Sequence, residues 1–269
     1  MEKNFFGLGI IALCAVVLMS PVFSDARSLD EILSAKVIKV GIETDIPPLG
    51  GFNEKNELVG FDVDFAEKIA EMLGVKLEMV KVLGTDRIPF VASGKIDFVL
   101  GALTRTPARA KVVDYTLPLH TESLAVLTLE GKPFKHWKDM NDPNVTLVQV
   151  RGTTVIDFIK KNLPKAKTLL LDNNADIVRA VAQGRGDAII EVLEFFSKHM
   201  AKYKVKWKVL DTPLEVYYCG LGVAKGNYSL RDWLNIAIFD LHKTGWVDKT
   251  WRKWFGGPMF FSVEASPYF

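Results

Sequence analysis

Apolar and polar residues alternate along several stretches of the chain in the pattern of half-buried strands. Residues 36–42 alternate in this way, and in residues 75–82 the side chains of Val75, Leu77 and Met79 fall on one face. Both stretches are therefore predicted to be strands. Apolar runs of strand length predict further strands at residues 58–61, 96–100, 124–129, 146–150, 169–171 and 216–224, and one within residues 184–191.

Apolar residues at helical spacing lie between these strands. Phe65, Ile69 and Leu73 define the clearest helix, with Asp62 as its predicted N-cap and Gly74 at its end. The same spacing predicts helices within residues 85–92, 155–162, 175–183 and 230–255. Because strands and helices alternate, the pattern predicts an α/β fold with a largely parallel sheet whose faces are covered.

Residues 97–115 place polar groups where a strand ends and a helix is predicted to begin. Thr106 is the predicted N-cap of that helix and Pro107 its first residue. Ligands bind at this edge of α/β sheets, and the guanidinium of Arg109 beside free N–H groups suits a carboxylate. The alternative is a strand–helix corner whose arginine only contacts solvent.

Length and composition are those of an ordinary globular protein. The chain has 269 residues, more than most single domains, so two domains or one large one are expected. Apolar residues make up 49% of the chain, charged residues 25%, and the formal net charge is +2. Because that charge is small and no basic run accompanies it, we expect no nucleic-acid partner.

The N-terminus has the pattern of a secretory signal peptide. An apolar run at residues 5–19 follows a short charged start and precedes Pro21 and several small residues. We therefore predict a signal peptide at residues 1–26 and a periplasmic location. A membrane anchor is disfavoured because the run is shorter than the ~20 residues that a spanning helix needs. A lipoprotein site at Cys14 is disfavoured because Leu13 is large.

The cysteines and histidines predict neither a disulfide nor a metal site. Once Cys14 is removed with the signal, Cys219 is the only cysteine, and its place in a predicted strand indicates a buried, inert thiol. The 4 histidines show no metal-ligand spacing. No catalytic Ser–His–Asp or Cys–His arrangement can be proposed either, and we expect no cofactor.

Six short motifs occur in order along the mature chain. Residues 60–70 read Gly-Phe-Asp-Val-Asp-Phe-Ala-Glu-Lys-Ile-Ala. The others are Arg-Ile-Pro with Ser-Gly-Lys-Ile-Asp at 87–97, Thr-Arg-Thr-Pro-Ala-Arg at 104–109, Gly-Thr-Thr at 152–154, Gly-Arg-Gly-Asp-Ala at 184–188 and Lys-Trp-Phe-Gly at 253–256. The first closely resembles the G-F-D-V-D-L-A signature of family 3 periplasmic solute-binding proteins, the amino-acid receptors of ABC importers, and the others resemble that family's motifs in the same order. One such motif would be weak, whereas the ordered set is specific.

This resemblance implies a two-lobed periplasmic binding protein fold of type II, in which each lobe is a central sheet flanked by helices and two strands form the hinge. Lobe 1 would comprise residues 27–121 and 219–269, and lobe 2, inserted into it, residues 122–218. The implied function is to capture an amino acid or a related small carboxylate and deliver it to a membrane ABC permease. A monomer without enzymatic activity is expected, closing around its ligand by hinge bending.

The resemblance also implies which residues contact the ligand. Arg109 would hold the α-carboxylate, helped by the backbone at Ala102 and the hydroxyl of Thr104. The N–H of Thr154, beside Thr153, would meet the same carboxylate from the other lobe at a helix N-terminus, where the helix dipole favours an anion. In the alternative, Thr153 and Thr154 form only a helix N-cap.

Two departures from the family pattern concern the rest of the ligand. Many relatives bind the α-ammonium group through an aspartate at the position of Val192. Here Glu191 is the nearest replacement, and Glu194 is a less favoured one. The family's loop aromatics are replaced by Ile46 and Leu49, so an aromatic sandwich around the ligand side chain is not expected.

Arg87 and Glu43 complete the predicted binding site. Arg87 opens a short helix at the same cleft edge as Arg109, and two guanidiniums with one displaced carboxylate predict an acidic, carboxylate-rich solute. In the alternative, Arg87 pairs with Asp86, Glu43 or Asp45 and never meets the ligand.

An enzymatic alternative comes from the resemblance of this fold to cyclohexadienyl dehydratases. Such an enzyme needs a carboxylic acid as proton donor in the cleft, and Glu191 would serve if burial raised its pKa. Those enzymes carry a Gly-Gly-Thr-Asn stretch where this chain has Arg-Gly-Thr-Thr at residues 151–154. We therefore expect a binding protein.

Overall fold

The structure is a computed structural model that describes residues 26–192, 197–210 and 214–264. The predicted signal peptide, apart from Ala26, and the alternative ammonium ligand Glu194 lie outside the described residues. Within the described part of the chain, no helix combines the length and the apolar character that crossing a membrane requires.

Helices and strands alternate through most of the described chain. The helices are α1 Leu29–Ala35, α2 Phe61–Leu73, α3 Arg87–Ala92, α4 Val155–Asn162, α5 Asn174–Ala182, α6 Ser197–Met200, α7 Tyr228–Lys243 and α8 Trp246–Phe255. The strands are β1 Val37–Glu43, β2 Gly51–Phe52, β3 Leu58–Val59, β4 Lys76–Val82, β5 Phe98–Val99, β6 Val113–Leu129, β7 Thr146–Val150, β8 Lys167–Leu171, β9 Ala188–Val192, β10 Trp207–Leu210 and β11 Val216–Ala224.

The strands form a 9-stranded sheet in the order β4-β1-β5-β11-β6-β9-β7-β8, with β10 paired to β6. β1 pairs in parallel with β4 and β5, and β7 pairs in parallel with β8 and β9. Between these two parallel parts, β6 and β11 run antiparallel to each other and to their outer neighbours β9 and β5. Two α/β lobes are thus connected through two long strands, which confirms the predicted fold.

Apolar side chains of the helices pack against the sheet in both lobes. Phe61 and Phe65 of α2 are fully buried together with Phe98 of β5, and in the other lobe Val178 of α5 packs with Ile189 of β9. Burying a side chain of this size stabilises a fold by about 1.5–3 kcal/mol. The burial of helix side chains against the sheet therefore stabilises both lobes.

The central strand β6 is much longer than its sequence pattern indicates. The pattern predicts a strand at residues 124–129, whereas β6 spans 17 residues from Val113. Its first part is interrupted by Pro118, and pairing with β11 stabilises it despite register shifts on either side of Gly220. The predicted lobe boundaries, after residues 121 and 218, fall inside β6 and β11 and stay predictions.

Helix α2 begins one residue before Asp62, which is therefore not its N-cap. Gly60 occupies the N-cap with φ of 148°, and a Cβ atom there would lie 2.0 Å from the carbonyl oxygen of Leu49. Only glycine avoids both the strain and the clash. Asp62 lies in the first turn, fully buried. Gly74 ends the helix in the left-handed conformation, as predicted.

Two predicted helical regions differ from the structure. The hydroxyl of Thr106 accepts a hydrogen bond from the N–H of Arg109 at 3.2 Å, but only a 3-10 turn, Arg109–Lys111, follows. The C-terminal region is divided into α7 and α8 because Gly245 adopts φ of 73°. As predicted, Trp251 there is a packing residue: it is buried and its ring stacks on Phe255.

Candidate ligand-binding site

One cavity lies where β1 and β5 end, facing the N-termini of α4 and α5 across the cleft between the lobes. Every residue that the sequence predicts to contact ligand lines this cavity: Glu43, Arg87, Ala102, Thr104, Arg109, Thr153, Thr154 and Glu191. The cavity is partly open to solvent along the cleft between the lobes.

Arg87 and Glu43 form a buried ion pair in the wall formed by lobe 1. The Nη1 atom of Arg87 lies 3.1 Å from Oε2 of Glu43 and also donates to the carbonyl oxygen of Gly101. Both side chains are about 6% exposed. Burial raises the pKa of Glu43, and the charge of Arg87 opposes that rise. The structure therefore has the pairing that the sequence left as one alternative for Arg87.

Gly101 makes this ion pair sterically possible. Its φ is 96°, and a Cβ atom on it would lie 2.7 Å from Cβ of Glu43. A larger residue would push the Glu43 side chain away from Arg87, so the glycine allows backbone and ion pair to approach closely.

Arg109 spans the cleft. From the 3-10 turn that follows β5, its Nη1 donates to the carbonyl oxygen of Thr104 at 3.1 Å, and its Nη2 donates to the carbonyl oxygen of Gly152 at 2.8 Å. Burial, and then the charge of Arg87, lower the pKa of Arg109 from its ordinary value. Arg109 is partly buried and none of these partners carries a compensating negative charge, so an anion beside its guanidinium would be stabilised.

The other wall of the cavity is the N-terminus of α4. Thr154 stands at the N-cap position, but its side chain makes no capping hydrogen bond. Its Oγ1 instead lies 3.5 Å from Oγ1 of Thr104 across the cleft. The hydroxyl of Thr153 donates to the carbonyl oxygen of Val150 at 3.0 Å. A pure capping role therefore does not account for Thr154.

Strand β9 supplies the carboxylate that the sequence predicted as a replacement for the family's aspartate. Val192, at the aspartate position, is 2% exposed and belongs to the apolar core. Glu191 lines the cavity, and its Oε1 accepts the N–H of Val192 at 3.1 Å. Burial, with a smaller contribution from the charge of Glu43, raises the pKa of Glu191 to about 7.

Sequence reasoning missed three polar residues of the cavity wall, Glu122, Asn174 and Tyr217. Tyr217 lies in β11, which the pattern predicted as a strand, but nothing local indicates that its ring faces the cavity. Glu122 lies in the part of β6 that the pattern did not predict. Glu122 and Tyr217 reach the cavity because they lie on the two central strands, whereas Asn174 is the first residue of α5.

The charges of the cavity wall differ from those assumed for an acidic solute. The wall carries two guanidiniums, Arg87 and Arg109, and three carboxylates, Glu43, Glu122 and Glu191. One guanidinium and one carboxylate neutralise each other in the buried ion pair. The premise of two guanidiniums with a single carboxylate was therefore wrong, because the folded chain adds Glu122 and the paired Glu43.

A separate contact connects the lobes beside the cavity. The carboxylate of Asp45, in the loop after β1, accepts the N–H of Asn174, the first residue of α5. The side-chain amide of Asn174 donates in turn to the backbone carbonyl of Asp45 at 3.3 Å. His199 Nε2 lies 3.9 Å from Asp45 Oδ1. Burial raises the pKa of Asp45, and the helix N–H groups oppose that rise.

The chain is similar to known proteins in both sequence and structure. The family model for bacterial extracellular solute-binding proteins, family 3, matches residues 38–257. The ABC transporter glutamine-binding protein of Bacillus subtilis (strain 168) is 27% identical over 267 residues, which is 94% of this chain and 97% of that protein. The cyclohexadienyl dehydratase of Pseudomonas aeruginosa is 28% identical over 193 residues, 71% of this chain and 72% of the enzyme.

Among solved structures, an ancestral amino acid-binding protein, described as a precursor of cyclohexadienyl dehydratase, is 33% identical to this chain. The two structures superpose with a TM-score of 0.77, and the match covers 84% of this chain and 99% of the ancestral protein. This similarity extends over both lobes.

Proposed function

The chain belongs to the bacterial extracellular solute-binding proteins, family 3, and we propose from this premise that its cavity holds the α-carboxylate and α-ammonium groups of one amino acid. As a substrate-binding protein of an ABC transporter, it serves amino-acid import. We propose further that the lobes are divided as the sequence predicts, at residues 121/122 and 218/219. The export signal at residues 1–26, a periplasmic location, a membrane permease as partner and a monomeric state belong to the same proposal.

The observation that supports this proposal most strongly is the position of Arg109. Its guanidinium lies opposite the N-terminus of α4, between Thr104 on one lobe and Thr154 on the other. A carboxylate inserted there would replace the carbonyl of Gly152 as acceptor and would also meet the positive end of the helix. The backbone at Ala102 borders the same space.

The α-ammonium group has a separate place in the cavity. Glu191 of β9 lines the cavity, and its raised pKa means that an adjacent cation would stabilise its charged form. Ammonium binding would therefore be accompanied by loss of the proton from Glu191 at pH values below about 7.

The charge balance favours a ligand with an uncharged side chain. Glu43 and Arg87 satisfy each other, Arg109 takes the carboxylate, and Glu191 takes the ammonium group. The remaining carboxylate of the wall, Glu122, is buried and has interactions of its own. An additional charge on the ligand would therefore be buried without a partner, which is costly. This replaces the acidic preference that the sequence alone suggested.

Calorimetric titration of the ligand-free protein tests both parts of this proposal. The protein is first unfolded, dialysed and refolded so that it carries no ligand from the cell. We expect binding of one amino acid per chain, with uncharged amino acids preferred over glutamate and lysine. The absence of binding by any amino acid would contradict the function, whereas tighter binding of glutamate or lysine would contradict only the uncharged preference.

An enzymatic function is the second candidate, and the pKa of Glu191 is the observation that favours it. A carboxyl group that titrates near pH 7 is suited to protonate a leaving group, and one relative is a cyclohexadienyl dehydratase. Most of the named relatives are binding proteins. Incubation with prephenate or arogenate separates the candidates: product formation that Glu191→Gln abolishes would support the enzyme, and tight binding of an amino acid without turnover would support the receptor.

A further inference from the structure

The two central strands bring three metal-ligating residue types together beneath the ligand cavity. His120 and Glu122 are two residues apart in β6, and in a strand that spacing places both side chains on one face. Cys219 of β11 is the register partner of His120 in the antiparallel pair. An imidazole nitrogen, a carboxylate oxygen and the thiol sulfur consequently lie within 4.8 Å of one another.

All three side chains are removed from solvent. His120 is 2% exposed, Glu122 5% and Cys219 1%. The Nδ1 atom of His120 has no hydrogen-bond partner among the described residues, and it lies 3.9 Å from Oε1 of Glu122. Buried imidazole nitrogens are nearly always hydrogen-bonded in folded proteins, so this nitrogen has room for a further ligand.

The three residue types suit a metal ligand set. Imidazole nitrogen, carboxylate oxygen and thiolate sulfur are all ligands of zinc, and a cysteine thiol gives up its proton when it binds the ion.

We propose that His120, Glu122 and Cys219 bind one Zn²⁺ ion between the hinge strands. Zinc accepts this mixture of nitrogen, oxygen and sulfur ligands in tetrahedral sites. Bonds of about 2.0–2.3 Å place tetrahedral ligand atoms roughly 3.3–3.8 Å apart, so the most distant pair must approach by about 1 Å. Binding releases the Cys219 proton to solvent, and the thiolate and the carboxylate then neutralise the charge of the ion.

The fourth coordination position faces the ligand cavity. Glu122 lines that cavity, whereas His120 packs against Phe61 and Trp251 on the opposite side. Water, or a polar group of the bound solute, can therefore complete the tetrahedron. Because the ligands come from both β6 and β11, the ion would crosslink the two strands that connect the lobes.

Cobalt titration of the metal-free mature protein tests this site directly. Co²⁺ replaces Zn²⁺ in such sites, and a cobalt–thiolate bond gives a charge-transfer absorption that carboxylate and imidazole ligands do not. We expect this absorption to saturate at one Co²⁺ per chain and to disappear when Zn²⁺ is added. Absence of the thiolate absorption in the wild-type protein would overturn the proposal, and this measurement does not depend on how any variant folds.

Substitutions of the proposed metal-binding residues test which side chains bind the ion. Cys219→Ser should remove the charge-transfer absorption, and Glu122→Gln should weaken binding by at least about 10- to 100-fold, because even indirect partners of a metal contribute that much. His136→Gln, at an exposed histidine, is the matched control and should bind Co²⁺ like the wild type. Loss of binding in this control alone would assign the metal to the surface and overturn the proposal.

The inference goes beyond amino-acid binding, and the two can fail separately. Amino-acid titrations in the presence of a chelator report the proposed function without the ion. Cobalt titrations without any amino acid report the metal site without the solute.

Discussion

Replacement of Asp45 should weaken solute binding without altering either lobe. Its carboxylate lies in the loop after β1 and accepts the N–H of Asn174 at the start of α5, on the opposite side of the cleft. A contact between the lobes exists only when they are closed. Its free energy therefore enters the closing equilibrium, and through that equilibrium the apparent affinity for ligand.

The size of the expected change in Kd follows from the groups that Asp45 contacts. A hydrogen bond to a charged group contributes about 1.5–3 kcal/mol, and a negative charge at a helix N-terminus contributes about 0.3–1 kcal/mol. Burial lowers the pKa of His199, which is therefore neutral near pH 7 and adds no ion pair. Asp45→Ala removes both contributions and should raise Kd about 20-fold or more, since 1.4 kcal/mol is tenfold. Asp45→Asn keeps an acceptor and should raise Kd by less than about tenfold.

Stopped-flow binding at pH 8, with calorimetry in parallel, distinguishes this role from direct ligand contact. Most of the loss of affinity should appear as faster dissociation, because the contact between Asp45 and Asn174 forms after the solute has entered. Asp172→Asn is the matched control, since that aspartate is exposed and pairs with Arg151 on the surface of the same lobe. Wild-type dissociation rates in Asp45→Ala would show that the contact does not hold the lobes closed.

Three further predictions concern the cavity. Arg109→Lys should weaken amino-acid binding by about 10- to 100-fold, measured calorimetrically, because one charged hydrogen bond of about 1.5–3 kcal/mol is lost while the fold is kept. For Glu191, the pKa rises from 4.5 in the unfolded chain to about 7 in the folded protein. The folded state therefore holds more protons between these pH values, and urea unfolding of the ligand-free protein should show stability falling as pH rises from about 4.5 to 7. Glu191→Gln should make this slope shallower. Small-angle scattering should show a smaller radius of gyration when saturating ligand closes the hinge.

Each of these predictions has a result that contradicts it. Arg179→Lys, on the exposed face of α5, controls for the change of an arginine, and equal affinity of Arg109→Lys and this control would exclude the carboxylate clamp. A slope that Glu191→Gln leaves unchanged would assign the pH dependence to the other carboxyls whose pKa burial raises, namely Glu43, Asp45 and Asp62. Identical scattering curves with and without ligand would argue against closure.

The sequence by itself determined the elements whose patterns are local. The predicted bounds of β7, α4 and β11 agree with the structure, because each element combines a clear apolar period with a clear boundary. The motif resemblance identified the polar residues at the strand ends, including Arg109 and Thr154. It also named Glu191, one residue before the family's aspartate position, as the nearest replacement, and in the structure Glu191 lines the cavity whereas Val192 is buried in the core.

Tertiary structure decided what depends on residues far apart in the chain. The first half of β6 forms because β11 pairs with it, although Pro118 breaks the local pattern. The same pairing brings Glu122 to the cavity and places Cys219 opposite His120. The pairing of Arg87 with Glu43 likewise joins two segments that no local pattern connects. Local patterns report which face of an element is apolar, whereas the charges that share a cavity are set by how the elements pack.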